Sequence, residues 1–107
     1  MKIVKVTYIT KPEFAEQNQE NIKNVMAELQ KLNHPGINYN SCLGPDGKSF
    51  IHTAFFKSED DQKILNDLPS FKHFQEQLKQ NGFESPPKQE LLSLVGSSTN
   101  IFGHGEH

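Results

Sequence analysis

The chain has 107 residues, enough for one domain around one modest core. Its apolar fraction is 34%, it carries eight Phe and no Trp, and its formal net charge is −2, so no basic surface is offered to nucleic acid or an anionic membrane. Cys42 is the only cysteine, which excludes an intrachain disulfide, and no run approaches the roughly 18 apolar residues of a membrane span.

In chain order, "KIVKVTYI" alternates Val4, Val6 and Tyr8 with Lys5 and Thr7, the period-two pattern of a strand. It lacks the apolar run of a secretory leader, which fits a reducing cytoplasm. A long helix follows. Pro12 suits its first turn, where a missing N–H costs nothing. Phe14, Ile22, Val25, Met26, Leu29 and Leu32 then recur at three- and four-residue steps as one apolar stripe. "EQNQEN" reads as the solvated face, and "NHPG" stops the helix at Pro35 and Gly36, with His34 as a turn residue.

"INYNSCL" alternates again, "GPDGK" is a turn, and "SFIHTAFF" is the returning strand. Ser58 is a candidate N-cap with Asp61 three residues on. The helical segment it opens restarts at Pro69, with Phe71, Phe74 and Leu78 as a second stripe and Gly82 at its end. "ESPPK" reads as a linker, residues 89–96 as a last strand, and residues 98–107 as a polar tail that is loosely ordered or packs on a partner chain through Ile101 and Phe102. The domain proper is thus expected over residues 1–97.

The order β-α-β-β-α-β is the split β-α-β, or ferredoxin-like, α+β plan: a four-stranded antiparallel sheet with helices on one face. Its other face needs a cover, and a second copy of the chain is the economical one. Four stretches carry a resemblance: "KVTYITKPEF", "NHPGINY", "SFIHTAFFKSED" and "LPSFKHFQEQL". On these the chain resembles the dimeric α+β barrels of the antibiotic-biosynthesis monooxygenase-like superfamily. The resemblance spans residue 1 to about 97, implies a homodimer, and leaves the activity open among cofactor-independent oxygenation, isomerisation, dehydration and haem degradation. Haem-degrading members use a cavity Trp, which this chain lacks.

Candidate site residues follow from the hairpin. A three-residue loop at Pro45–Gly47 pairs Gly44 with Lys48, Cys42 with Phe50, Asn40 with His52 and Asn38 with Ala54. On that register His52, Asn38, Asn40, Cys42, Phe50 and Phe56 share one face. Ile37, Tyr39, Leu43, Ile51 and Phe55 form the more continuously apolar face, expected under the helices. His52 and Asn40 are then candidate catalytic groups: a base titrating near neutral pH and a donor to a carbonyl or enolate. Asn38, Phe50, Phe56 and Thr7 are candidate ligand-binding residues around them.

The competing reading makes His52 a core side chain satisfied by Asn40. A lone strand cysteine such as Cys42 is usually a small hydrophobe, and His73 should point to solvent. "HGEH", with His104 and His107, has metal-ligand chemistry but sits on a glycine-containing tail. No metal or cofactor is expected. The partners expected are a second copy of the chain and a small molecule, not nucleic acid or membrane. A side-chain-filled, non-enzymatic dimer is the alternative to the enzyme.

Overall fold

The computed structural model of the protein describes residues 1–103; the "HGEH" candidate, His104 to His107, lies outside them. Its elements are β1 (Lys2–Thr10), a short 3-10 turn (Pro12–Phe14), α1 (Ala15–Leu32), β2 (Ile37–Leu43), β3 (Ser49–Phe56), α2 (Glu59–Asp67), α3 (Pro69–Asn81) and β4 (Phe83–Leu92). The strands form one antiparallel sheet in the order β2-β3-β1-β4. This is the expected ferredoxin-like arrangement.

The local signals act as their chemistry dictates. Asn33 closes α1 in the left-handed conformation, its N–H returning to the Leu29 carbonyl. Ser58 and Asp61 form a reciprocal capping box at the start of α2. Pro69 sits in the first turn of α3, where Glu28 of α1 accepts from both the N–H and the hydroxyl of Ser70. Among the described residues, no helix is long and apolar enough to cross a membrane.

One face of the sheet packs on the helices. Val4 and Tyr8 of β1 and Phe50, Ala54 and Phe56 of β3 bury against Ile22 and Val25 of α1 and Phe71, Phe74 and Leu78 of α3. The other face carries Lys5, Thr7, Ile51, Thr53 and Phe55, of which Ile51 is 38% exposed.

The hairpin register corrects the expected one by a single residue. Ser41 faces His52, Tyr39 faces Ala54, Asn40 faces Thr53 and Asn38 faces Phe55. The cause is the turn. Gly44 N–H donates to the Ser49 carbonyl at 2.7 Å and Gly47 N–H to the Gly44 carbonyl at 3.1 Å, which leaves four residues in the loop. Asp46 Oδ1 accepts from the N–H groups of Lys48 and Ser49, so Lys48 belongs to the turn rather than the ladder. Because side chains alternate, this slip moves Asn38, Asn40 and Cys42 to the face opposite His52.

The assignment of faces is corrected as well. His52, Phe50 and Phe56 lie under the helices, while Ile51 and Phe55 lie on the open face. A histidine lowers the apparent apolarity of its face, but one with both ring nitrogens bonded is buried without an unmet group.

Two further expectations change. "ESPPK" is part of β4, an edge strand beside β1 in the sheet of the described residues. Its pairing shifts register on either side of Ile9, an irregularity that accommodates Pro86 and Pro87, which have no N–H to give. "EQNQEN" is not wholly solvated, because Asn18 and Asn21 are fully buried. The tail touches its own chain: the Ile101 carbonyl accepts from Asn38 Nδ2 at 2.6 Å, and the Lys57 ammonium stands 5.6 Å over the Phe102 ring.

Candidate functional site

A cleft of about 680 Å³ opens between the helix-facing side of the sheet and α2 and α3. Its walls are mostly apolar, from Val4, Val6, Ala54 and Phe56 of the sheet to Leu65, Phe71, Phe74 and Leu78 of the helices. Tyr8, Tyr39 and His52 supply polar groups among them, and Gln62, Asn66 and Gln89 are polar residues of its lining.

The sequence places each of these three by alternation. Tyr8 and His52 stand on β1 and β3, which are adjacent, and Tyr39 reaches His52 diagonally from β2. Tyr8 Oη lies 2.8 Å from His52 Nε2, and Tyr39 Oη 2.6 Å from His52 Nδ1. Asn18, from α1 above the sheet, donates through Nδ2 to Tyr8 Oη at 2.9 Å. Ser41, facing His52 in the ladder, is a weaker second neighbour of Nε2 at 3.5 Å. The rings stack as well: Tyr8 on His52 with centroids 5.3 Å apart, and His52 tilted against Phe74 at 5.5 Å.

The orientation of Asn18 gives this hydrogen-bond chain a sense. With Asn18 donating to Tyr8, the Tyr8 proton is free to go to Nε2. A neutral imidazole receiving at Nε2 carries its own proton on Nδ1 and donates it to Tyr39. The Tyr39 hydroxyl proton is then left for the cleft. Burial pushes the His52 pKa down to about 4, so the ring is neutral at pH 7. Burial raises both tyrosine pKa values, and Asn18's hydrogen bond only partly offsets this at Tyr8, so both stay protonated. The site therefore holds a neutral imidazole flanked by two phenols, a group that takes up and returns a proton when its bare nitrogen faces the donor.

Compared as sequence, the chain matches no family model and no curated protein. Compared as structure, it is similar to a Nitrosomonas europaea protein named for the antibiotic biosynthesis monooxygenases, with a TM-score of 0.75 at 14% identity over 90% of this chain and 100% of that one. A Caulobacter crescentus protein named for the same enzymes gives a TM-score of 0.73 at 20% identity over 89% and 90% of the two chains. A Deinococcus radiodurans counterpart gives 0.68 at 18% identity over 94% and 98%. The chain has the antibiotic biosynthesis monooxygenase-like fold. At these identities the likeness establishes the fold, as the sequence resemblance implied, and leaves the chemistry to the residues of this chain.

In this monooxygenase-like fold the expected site residues divide. His52 and Phe56 line the cleft, while Phe50 stacks on Tyr8 with centroids 5.5 Å apart and lines a smaller groove beside α1. Thr7, Asn38 and Asn40 stand on the opposite face, where the Asn40 amide turns to Asn38 Oδ1 at 3.2 Å. The expected partnership of His52 with Asn40 is replaced by one with Tyr8 and Tyr39. Cys42 is exposed, facing Ile51, and His73 is exposed on α3. Among the described residues, no group of three or more His, Cys, Asp or Glu is placed to hold a metal.

Three residues of the hydrogen-bond cluster escaped the sequence reading. Tyr8 and Tyr39 fell to a core role because alternation counts a tyrosine as apolar. Asn18 had a signal: it lies four residues from both Phe14 and Ile22, in the gap of the helix stripe.

Proposed function

We propose that the protein binds a small, largely apolar, flat molecule bearing a hydroxyl or carbonyl in the sheet–helix cleft and removes a proton from it through Tyr39 to neutral His52. The observation that carries this reading is the pairing of both His52 nitrogens with phenol hydroxyls against the apolar wall of the cleft. With the His52 proton on Nε2 and Nδ1 bare, the proton leaves the substrate for Tyr39, Tyr39 gives its own to Nδ1, and the electron pair stays on the substrate. A methylene activated in this way yields a carbanion that dioxygen can oxidise to a carbonyl. One oxygen atom enters the product, the other leaves as water, and the substrate supplies the electrons. That is cofactor-independent monooxygenase chemistry, and the proteins of similar fold are named for monooxygenases.

The functional unit in this reading is a homodimer joined across the open sheet face, in the reducing cytoplasm that a single exposed Cys42 suits. The exposed Ile51 on that face, with Phe55 beside it, and the exposed Leu92 and Leu94 support a second copy as the cover.

A second reading is favoured by one observation. Both His52 nitrogens already have protein partners, so the cluster is also a satisfied core of the kind a purely structural dimer would keep.

Thermal shift with a panel of hydroxylated naphthoquinones, flavins and haem separates the two. A binder present at 100 times its Kd stabilises by about 2.7 kcal/mol, which moves Tm by roughly 10 °C or more in a domain this small. The enzyme reading expects such a shift from a hydroxylated quinone, its loss in Tyr39→Phe, and oxygen uptake. Binding to none of the panel by native mass spectrometry as well would leave the structural dimer.

A further inference from the structure

We infer that Asn18 sets the direction in which the Tyr8–His52–Tyr39 chain carries a proton, its side-chain amide standing either way round. This rests on the proton-transfer reading of the cleft and adds to it a positioning residue on α1.

Asn18 has no exposed surface. Its Nδ2 donates to Tyr8, and its Oδ1 has no partner among the described residues. The two ends of an amide are nearly equal in size but opposite in hydrogen-bonding character. Turning this one over leaves one bond to Tyr8 and one unmet end, as before. The two orientations therefore contain the same number of hydrogen bonds. A fully bonded amide would lose bonds on turning, at about 1–3 kcal/mol for each group left unmet in the interior.

The consequence runs along the chain. With Nδ2 toward Tyr8, the bonds run Asn18 to Tyr8 to Nε2 and from Nδ1–H to Tyr39, and the cleft meets the Tyr39 proton. That state holds a carbonyl or an anion. With Oδ1 toward Tyr8, every bond reverses: Tyr39 donates to Nδ1, Nε2–H to Tyr8, and Tyr8 to Asn18. The cleft then meets the lone pairs of Tyr39, which accept a hydroxyl or an acidic C–H.

Only the second state can complete the transfer. As the proton of X–H passes to Tyr39, the Tyr39 proton passes to Nδ1 and the pair of the broken bond stays on X. The resulting imidazolium carries protons on both nitrogens. Nε2–H already donates to Tyr8, and Tyr8 already has Asn18 Oδ1 as acceptor. In the first state the Tyr8 proton lies between Tyr8 and Nε2, and a proton on Nε2 would have to displace it toward an amide N–H. Ser41, 3.5 Å from Nε2, is too distant to supply a fixed alternative.

The test reads the His52 tautomer by ¹⁵N NMR of the ligand-free, full-length protein at pH 8, with the His52 signals identified by their loss in His52→Gln. Asn18→Asp places a carboxylate that only accepts, and Asn18→Leu, of similar size, removes both ends. The expected result is a wild-type His52 sampling both N–H tautomers, Asn18→Asp shifted to Nε2–H, and Asn18→Leu with a tautomer ratio unlike wild type. A ratio unchanged in Asn18→Leu would overturn the proposal. So would retention of Nδ1–H in Asn18→Asp. If the aspartate variant does not fold, the leucine variant decides alone. Because no ligand is involved, a cleft that binds no quinone would refute the proposed function without touching this result.

Discussion

Tyr39 Oη reaches His52 Nδ1 at 2.6 Å although the two residues do not face each other in the ladder: Tyr39 faces Ala54, and His52 faces Ser41. The contact is diagonal across β2 and β3, and it exists because the four-residue turn at Pro45–Lys48 puts odd positions of β2 on the same face as even positions of β3. A loop one residue shorter would turn Tyr39 away from His52.

Tyr39→Phe tests that contact. The ring stays, the packing against Phe71 is kept, and only the hydroxyl is lost, leaving Nδ1 without its partner. Urea denaturation should show a loss of about 1–2 kcal/mol, the usual cost of an unmet buried group. Titration with a hydroxylated naphthoquinone should show affinity falling at least about tenfold, one charge-neutral hydrogen bond's worth. Equal affinity in the two proteins would remove Tyr39 from the site.

His52 makes stability depend on pH in a defined window. Its folded pKa of about 4 lies below the ordinary value of 6.5, because burial penalises the charged ring. Between those values the unfolded chain binds the proton and the folded one does not. Stability therefore rises with pH across this window and is complete above it. The difference corresponds to about 3 kcal/mol lost between pH 7 and pH 4. Asp61 is shifted downward mainly by the His34 hydrogen bond, and Asp46, lowered to about 2, by hydrogen bonds from Ser49 and Lys48; both carboxylates act below this window. Urea midpoints measured from pH 7 to pH 4.5 should fall in wild type and much less in His52→Gln. Parallel slopes would mean that His52 is not the group responsible.

Much of this fold could be read from particular residues. Pro12, "NHPG", Ser58 and Pro69 mark element ends by local chemistry that tertiary contacts do not override. Alternation in β1 put Val4, Val6 and Tyr8 on the helix side, where they are. The site was less legible because it depends on register, and register turned on whether Lys48 joined the ladder or the turn. Asp46 decides that through side-chain hydrogen bonds to Lys48 and Ser49, a choice no hydrophobic pattern records. The same slip explains why Asn40 was paired with His52, which Ser41 faces instead. Asn18 escaped for a different reason: an amide on an apolar stripe looks like an interruption until its partner across the core, Tyr8, is known.

Gly36 sits where no side chain fits. Its φ is outside the left-handed region, so the backbone does not demand glycine. A Cβ there would come within 2.5 Å of Asp61 Oδ2, part of the carboxylate that accepts from Ser58 at the start of α2 and pairs with His34. Gly36→Ala should displace that cap and cost about 1–2 kcal/mol by urea denaturation. In an Asp61→Ala background the same change should be neutral or stabilising, since alanine restricts the unfolded chain and the clash is gone. An equal cost in both backgrounds would place the strain elsewhere.

The open sheet face carries the last prediction. A stable dimer buries about 800 Å² on each partner. A four-stranded sheet face with Ile51 and Phe55 near its middle and Thr7 and Thr53 beside them is of that order. Light scattering at micromolar concentration should give twice the chain mass, and a monomer there would sink the dimer. Ile51→Lys places a charge at the centre of the proposed contact while leaving the helix-side core untouched, since Ile51 is already 38% exposed in the single chain. The variant should scatter as a monomer with an unchanged circular dichroism spectrum, because desolvating an unpaired ammonium costs more than one apolar contact returns. The tail bears on the same face, since Asn38 holds the Ile101 carbonyl there. Asn38→Ala should therefore weaken dimerisation if the tail forms part of the interface, and strengthen it if the tail must be displaced; no change would place the interface away from β2.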